Sequence, residues 1–316
     1  MRVGLTGASG FLGPELVRAL LAHGHEVHVL ARDVPRALSR LPEGVTGARY
    51  DALQGVEPGA LRGVDAVVHL AGEPVDQRWT RDARRRIQDS RTVGTRLVVQ
   101  AMAEARVPGP LVSASAVGYY GDRGDELLTE QSPPGRGFLA DVCRGWEGEA
   151  LRAEELGIRT VRVRIGLVLH PSGGVLDRVL PSFKLGAGGR LGSGQQYFPW
   201  LHREDAVALL RFALEHESLR GPLNAVAPEQ VTQAQFSHVL GEVLHRPSLM
   251  HVPAFALKMA FGEMASAALE SQRVAPERAL ALGFTFRYPH LREALEHLVG
   301  HHREVAAPSP SGRGLG

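Results

Sequence analysis

A single cysteine, Cys143, occurs in 316 residues. That excludes an intrachain disulfide and a cysteine-rich metal site, and it permits a reducing compartment. Excess charge is also scarce: 36 Lys and Arg stand against 34 Asp and Glu, so the formal net charge is only +2, and the basic residues are dispersed apart from residues 81–86. A balance this even argues against a nucleic-acid partner, and the basic patch reads as a solvated helix face. No apolar run reaches the roughly 18 residues of a membrane helix, and Met1 leads directly into a strand pattern rather than a secretory leader. These absences predict a soluble cytoplasmic protein with no membrane partner. With 44% apolar residues, a chain of this length can bury one large core or two modest ones.

Glycine, in contrast, is plentiful and periodic. Val3 and Leu5 mark a short apolar strand, Gly7, Gly10 and Gly13 follow at every third position, and Leu16, Val17, Leu20 and Leu21 continue with helical spacing. Free backbone N–H groups at a helix start, together with the helix dipole, suit a dinucleotide diphosphate where no Cβ blocks its approach. Gly7 allows the tight turn, Gly10 the approach of backbone to phosphate, and Gly13 close packing of helix on strand. Gly7, Ser9, Gly10, Phe11, Leu12 and Gly13 are therefore the first candidate cofactor contacts. The competing reading is an ordinary strand-to-helix turn.

Residues 26–31 read as a second strand, completing a β-α-β unit. Its end reads Ala31-Arg32-Asp33, where an NAD site would place an acid for the ribose 2′-hydroxyl. Arg32 suits a 2′-phosphate through two charge-assisted bonds, and NADP(H) is the cofactor this implies. A solvated Arg32, with Asp33 capping a short helix, is the alternative. Residues 48–50 form a third strand, and Asp51 either reaches the adenine end or caps a turn. Residues 65–70 form a buried strand ending in Leu70-Ala71-Gly72, small enough for a cofactor to pass over. His69 there reads foremost as a hydrogen-bonded core residue at the cofactor's edge. A helix over residues 82–105 is expected to break register near 90–95, with Arg85 and Ser90 as further cofactor contacts or plain surface polarity. Residues 111–115 form the next strand, ending in Ser113-Ala-Ser115 and followed by Tyr119-Tyr120-Gly121-Asp122, where ligands gather.

These stretches, with Phe198-Pro-Trp-Leu-His-Arg-Glu-Asp205, resemble the extended short-chain dehydrogenase/reductase superfamily. Ser113-Ala-Ser-Ala-Val-Gly-Tyr-Tyr-Gly121, Phe138-Leu-Ala-Asp-Val-Cys-Arg-Gly-Trp-Glu147 and Gly192-Ser-Gly-Gln-Gln-Tyr-Phe-Pro-Trp200 are similar to its epimerase-like branch. Residues 247–298, with Ser271-Gln-Arg-Val-Ala-Pro276 and Gly283-Phe-Thr-Phe286, resemble that branch's small C-terminal helical module. The resemblance implies a Rossmann-type α/β fold, doubly wound around a parallel sheet, with a smaller C-terminal substrate-side lobe. It also implies a homodimer. In the superfamily a Tyr-x-x-x-Lys pair follows the active serine: the tyrosine transfers a proton, and the lysine lowers its pKa and binds the nicotinamide ribose. Leu139 and Cys143 stand in the corresponding places, so carbonyl chemistry by that pair is in doubt. Ser115, Tyr119 and Tyr120 remain as catalytic candidates, Cys143 as a thiol more often inert than reactive.

Further on, residues 160–169 read as one buried strand, with Arg162 and Arg164 on a polar face or in an ion pair at the sheet edge. Residues 173–194 read as a glycine-rich loop over the substrate, offering Arg190, Ser193, Gln195 and Gln196 as donors. A helix over 204–215, a strand near 223–226, a helix from Thr232 to Leu244 capped by Thr232, and apolar helices over 254–269 complete the pattern. Trp200 reads as core or pocket wall, and Met250, Met259 and Met264 as core. The expected organisation is a dinucleotide-binding domain over 1–230, of which 160–230 is partly shared, a helical lobe over 231–299, and a disordered tail over 300–316 whose His301 and His302 alone are poor evidence for metal. No metal is expected. Two functions fit: an NADP(H)-dependent oxidoreductase or epimerase acting on a small polar or sugar-nucleotide-like molecule, and a non-catalytic NADPH-binding sensor.

Overall fold

The computed structural model of the chain describes residues 1–300. Its central sheet contains β1 (Arg2–Thr6), β2 (Glu26–Ala31), β3 (Thr46–Asp51), β4 (Gly55–Val56), β5 (Ala66–His69), β6 (Leu111–Ala116), β7 (Thr160–Ile165) and β8 (Gly221–Ala225). The spatial order is β8-β7-β6-β5-β1-β2-β3-β4. All neighbours are parallel except β3 and β4. The chain winds outward from β1 to β3, then returns to lay β5 on the other side of β1. This reversal leaves a crevice beyond the C-terminal ends of β1 and β5, the usual ligand position in a doubly wound sheet. The Rossmann-type fold expected from the sequence is present.

Helices α1 (Gly13–Ala22), α2 (Val34–Leu38), α3 (Arg81–Ala105), α4 (Phe138–Glu155), α5 (Gly174–Lys184) and α6 (Arg203–Glu215) accompany the sheet. Because side chains alternate across a strand, Val68 and Val67 enter opposite cores. Val68 joins Val3, Leu5, Val29 and Val112 against Leu16, Val17 and Leu20 of α1 and Leu209, Leu210 and Ala213 of α6. Val67 joins Leu30 and Leu111 against Val98, Val99 and Met102 of α3 and Ala150 and Ala153 of α4. Each fully buried Val or Leu contributes about 1.5–3 kcal/mol.

Helix α7 (Gln233–Leu244) carries a full capping box: Thr232 Oγ1 accepts from Gln235 N, and Gln235 Oε1 accepts from Thr232 N. It is followed by α8 (Ala254–Phe261), α9 (Met264–Leu269), α10 (Glu277–Ala281) and α11 (Leu291–Gly300). A third apolar cluster unites Leu176, Leu180 and Phe183 of α5, Trp200, Phe236 and Leu240 of α7, and Leu291, Leu295 and Leu298 of α11. Helices α7 and α11 thus share a core with residues 169–200.

Four local expectations are corrected. The segment 160–169 is two strands, β7 and Leu167–His170; the second leaves the sheet and pairs with Trp200–His202. The break falls at Gly166, where a Cβ would lie 2.3 Å from the Pro199 carbonyl oxygen. The glycine-rich stretch 173–194 contains α5, because Leu176, Leu180 and Phe183 have helical spacing and a core to enter. Helix α3 runs unbroken through 90–95, its Gly94 pressed against the Tyr50 hydroxyl and Ala52. Met250 and Met259 are exposed rather than core. Trp200 is buried, its Nε1 donating to the Glu229 carbonyl. Beyond Gly300, the tail and its two histidines lie outside the described residues.

Candidate active site

The turn from β1 to α1 is shaped by contact on one side and open on the other. Gly7 has φ +74°, and a Cβ there would stand 2.9 Å from the Leu70 carbonyl carbon. At Gly13 a Cβ would lie 2.4 Å from the carbonyl oxygens of Gly7 and Ala8. Gly10 differs: it is exposed, and its Cβ would meet only the Gly7 oxygen, at 3.2 Å. Ser9 beside it is exposed as well, and no side chain caps the start of α1. The cradle therefore keeps a bare backbone face and an uncapped helix N-terminus, which fits a dinucleotide diphosphate. Phe11 and Leu12 turn elsewhere, Phe11 against Gly173 and Gly174 and Leu12 onto the core of α1 and α6.

The end of β5 is organised by Thr6, which sequence reasoning passed over. Its Oγ1 accepts the backbone N–H groups of Leu70 and Ala71, both at 3.1 Å, and lies 2.7 Å from His69 Nδ1. With two N–H groups already pointing at it, the Thr6 hydroxyl gives its hydrogen to Nδ1, and Nε2 carries the ring proton. Burial, and then Arg91, lower the His69 pKa to about 4, so it is a neutral core residue. Ser90 Oγ accepts from Glu73 N at 2.9 Å and so anchors the chain just after Gly72. Arg91 donates to the carbonyls of Glu73 and Ile87 and lies over the Trp146 ring, 5.0 Å from its centroid.

Arg32 is exposed at the tip of β2, directly after Ala31, while Asp33 caps α2 through the Arg36 N–H. Asp51 caps a turn, accepting from Leu53 N and Gln54 N. Arg85 faces solvent and pairs with Asp89.

Beyond β6, a buried network absorbs two of the catalytic candidates. Ser115, 2% exposed, donates to Glu147 Oε1 at 2.7 Å. Glu147 also receives Arg164 through both oxygens, at 2.8 and 2.9 Å. Arg164 Nη1 donates to the Tyr120 hydroxyl at 2.9 Å, and that hydroxyl lies 2.6 Å from Asn224 Oδ1 and 2.9 Å from the Thr129 carbonyl. Burial works against the Arg164 charge, but the Glu147 carboxylate raises its pKa on balance. Burial pushes the Tyr120 phenol up to about 12. The arginines alternating on β7 thus serve an ion pair inside the sheet, between β6 and β8, rather than at its edge. Tyr119 is the more open tyrosine, half-buried, with Arg164 over its ring at 3.5 Å.

Leu139, Cys143 and Glu147 follow at intervals of four on α4 and share one face. Leu139 and Cys143 lie against Gly118 of the turn after β6. Burial, and then the Glu147 charge, push the Cys143 thiol up to about 12. Leu139 also lines an open cavity of about 580 Å³, together with Trp79, Arg84, Phe138, Lys258 and Glu270. Its size suits a small-molecule ligand.

Residues 3–225 match the model of the NAD dependent epimerase/dehydratase family, and residues 252–298 match a domain of unknown function, DUF1731. This chain belongs to the NAD dependent epimerase/dehydratase family. A chloroplastic family member from Arabidopsis thaliana, an epimerase family protein SDR39U1 homolog, is 43% identical over 303 residues, covering 95% of this chain and 87% of its own. The epimerase family protein ML0860 of Mycobacterium leprae is 38% identical, with 93% and 94% coverage. Among solved structures, the human epimerase family protein SDR39U1 (isoform 2), described with NADPH, superposes with a TM-score of 0.83 at 33% identity, covering 95% of this chain and 99% of that one.

Within this member of the epimerase/dehydratase family, sequence reasoning missed Thr6, Arg91, Arg164's buried partner Glu147, and Glu270. Only Glu147 had a signal, its helical spacing from Leu139 and Cys143. Of the loop donors expected at the substrate, only Gln196 turns inward, its amide donating to the Leu191 and Ala268 carbonyls, while Arg190, Ser193 and Gln195 are exposed and Ser193 Oγ accepts from Gln195 N. Elsewhere His202, Glu204 and His297 bring ligand-type atoms within 4.8 Å of one another. His202 Nδ1 accepts the Glu204 backbone N–H, so Nε2 carries the proton, facing His297 Nδ1 at 3.2 Å. Both ring nitrogens of His202 are thus engaged, which disfavours metal ligation.

Proposed function

We propose that this protein binds NADP(H) along the crevice between β1, β2 and β5 and acts as an oxidoreductase or epimerase on a small polar or sugar-nucleotide-like molecule. The observation that carries this reading is the open Gly10 face of a tightly packed turn, with Arg32 exposed at the end of the neighbouring strand. The backbone of Gly7, Ser9, Gly10 and Gly13 would hold the diphosphate, Arg32 the 2′-phosphate, and the Thr6-anchored Leu70 and Ala71 the passage over the sheet. When bound, the nicotinamide would supply or accept a hydride. Around it, Ser115 fixes the floor through Glu147, Arg91 brings a cation beside Cys143, where the family's lysine would stand, and Tyr119 is the least committed of the serine and tyrosine candidates. The NADPH described with the human relative supports this cofactor choice. We also propose a cytoplasmic homodimer without nucleic-acid or membrane partners; sedimentation velocity reads the oligomer.

One observation favours the sensor reading: Leu139, which cannot transfer a proton, stands in the tyrosine position at the cavity wall. Calorimetric titration with NADPH, NADP, NADH and NAD, followed by a carbonyl and sugar-nucleotide screen at the nicotinamide absorbance, separates the two. NADPH binding with turnover is expected. Binding without turnover would favour the sensor, and preference for NADH would remove Arg32's role.

A further inference from the structure

The cavity beside Leu139 has a floor from α4 and an opposite wall from the C-terminal helices. Trp79, Arg84, Gly137, Phe138 and Leu139 form one side, and Lys258, Gly262, Glu263, Ser266 and Glu270 the other. The walls are tied together: Arg84 lies over the Phe138 ring at 4.8 Å and forms an ion pair with Glu263. Leu139 supplies no proton, so a reaction in this cavity needs another donor. Arg84 is paired, and Lys258 brings no carboxyl. Glu263 is bound to Arg84. Glu270 is the remaining acid of the lining.

Glu270 is held firmly at its post. It is the C-cap residue of α9, its N–H donating to Ser266 O at 2.9 Å. Ser271, the next residue, donates from its N–H to Asp122 Oδ1 at 3.0 Å and from its hydroxyl to the Gly124 carbonyl at 2.7 Å. Arg273–Val274 then pairs in parallel with Leu127–Leu128. The segment that carries Glu270 is therefore pinned to the loop following Tyr119 and Tyr120. The carboxyl is half-buried, and its one neutral donor, Gln272 Nε2, is 3.4 Å from Oε2.

We propose that Glu270 is the catalytic proton donor of this cavity, acting where the family's tyrosine is replaced by Leu139. The proposal rests on the NADP(H) reading above. In reduction, the substrate carbonyl carbon accepts a hydride from the reduced nicotinamide and the C=O π bond opens. The carbonyl oxygen takes the proton of the Glu270 carboxyl. The carbonyl becomes an alcohol, the nicotinamide is oxidised, and the Glu270 carboxylate regains a proton from water through the open cavity mouth. The reverse reaction uses the carboxylate as base. Burial and then the Asp122 charge raise the Glu270 pKa to about 7, which leaves it partly protonated at neutral pH and suited to either direction. Asp122 on the loop, Lys258 on α8, Glu263 at the start of α9 and Arg84 on α3 are the charged groups around the cavity.

The test uses the full chain and two variants, Glu270→Gln and Glu270→Asp. Infrared titration of the free protein, without any ligand, is expected to show a protonated carboxyl lost with a midpoint near 7 in the native chain and absent in Glu270→Gln. With NADPH and a panel of aldehydes, quinones and 2-keto acids, Glu270→Gln is expected to lower kcat about 100-fold while leaving the NADPH Kd unchanged. Glu270→Asp is expected to recover part of the rate with a shifted pH profile. A carboxyl already ionised at pH 5, full activity in Glu270→Gln, or NADPH binding with no reduction of any probe each overturns the proposal. Failure to bind NADPH overturns instead the reading on which it rests.

Discussion

The hydroxyl of Ser115 donates to Oε1 of Glu147, the same carboxylate that holds Arg164 through both of its oxygens. A serine at the end of a central strand is thereby tied to a buried ion pair spanning α4 and β7. Truncating the carboxylate strands a buried guanidinium, whereas removing the serine leaves the pair intact. Glu147→Ala is expected to cost about 3–5 kcal/mol of folding stability, and Ser115→Ala about 1 kcal/mol. Urea unfolding curves of the two variants check the ordering; equal losses would mean that the ion pair is not the dominant element.

At the glycine turn, Gly13→Ala is expected to disrupt the fold locally and abolish dinucleotide binding, since its Cβ would lie 2.4 Å from two carbonyl oxygens. Gly10→Ala is expected to keep its fold and weaken only the binding, because its Cβ meets a single atom, the Gly7 oxygen at 3.2 Å, on an otherwise open face. Circular dichroism and calorimetry on the two variants separate these outcomes.

Arg32→Ala is expected to weaken NADPH binding roughly 10- to 100-fold, the loss of about 1.5–3 kcal/mol from hydrogen bonds to a charged group, and to leave NADH affinity unchanged. An unchanged NADPH Kd would assign Arg32 to solvent.

His69 links stability to pH. Its folded pKa, about 4, lies below the ordinary 6.5, so between those values the unfolded chain binds the extra proton. Stability from this residue is complete above pH 6.5 and is lost as pH falls towards 4, by about 3 kcal/mol. His202, lowered to about 3 by burial and then His297, acts in the same direction. Unfolding measured at pH 7 and pH 4.5 should show a shallower loss in His69→Asn than in the native chain.

Cys143 is expected to resist thiol reagents at neutral pH in the folded state and to react stoichiometrically in denaturant, since burial holds its pKa near 12. Rapid labelling of the native protein would contradict the packing of α4 on the turn after β6.

The elements legible in the sequence were those whose signal is local. The strand over 26–31, the helix cap at Thr232 and the glycine turn each depend on residues within a few positions, so backbone geometry and periodicity were enough to place them. Segment 160–169 was misread because a continuous apolar run does not say which partner each half will meet; Pro199 packing on Gly166 decides that. The glycine-rich stretch hid α5 because glycine frequency outweighed three apolar residues whose core lies on α7 and α11, more than fifty residues away.

The site divides in the same way. The sequence alone determined a doubly wound fold with a bare glycine cradle and an Arg32 beside it, because a Cβ's absence and a strand-end charge are properties of single positions. The resemblance read from it also sets the expectation that Leu139 and Cys143 stand where the superfamily has its tyrosine and lysine. Only the tertiary structure decided that Ser115 and Tyr120 are bound into an ion-pair network, since Glu147, Arg164 and Asn224 arrive from three separate elements. It alone brought Glu270 to the cavity beside Leu139, 131 positions earlier in the chain. Burial and the company of distant groups, which sequence order does not encode locally, set the charge and availability of each of these side chains.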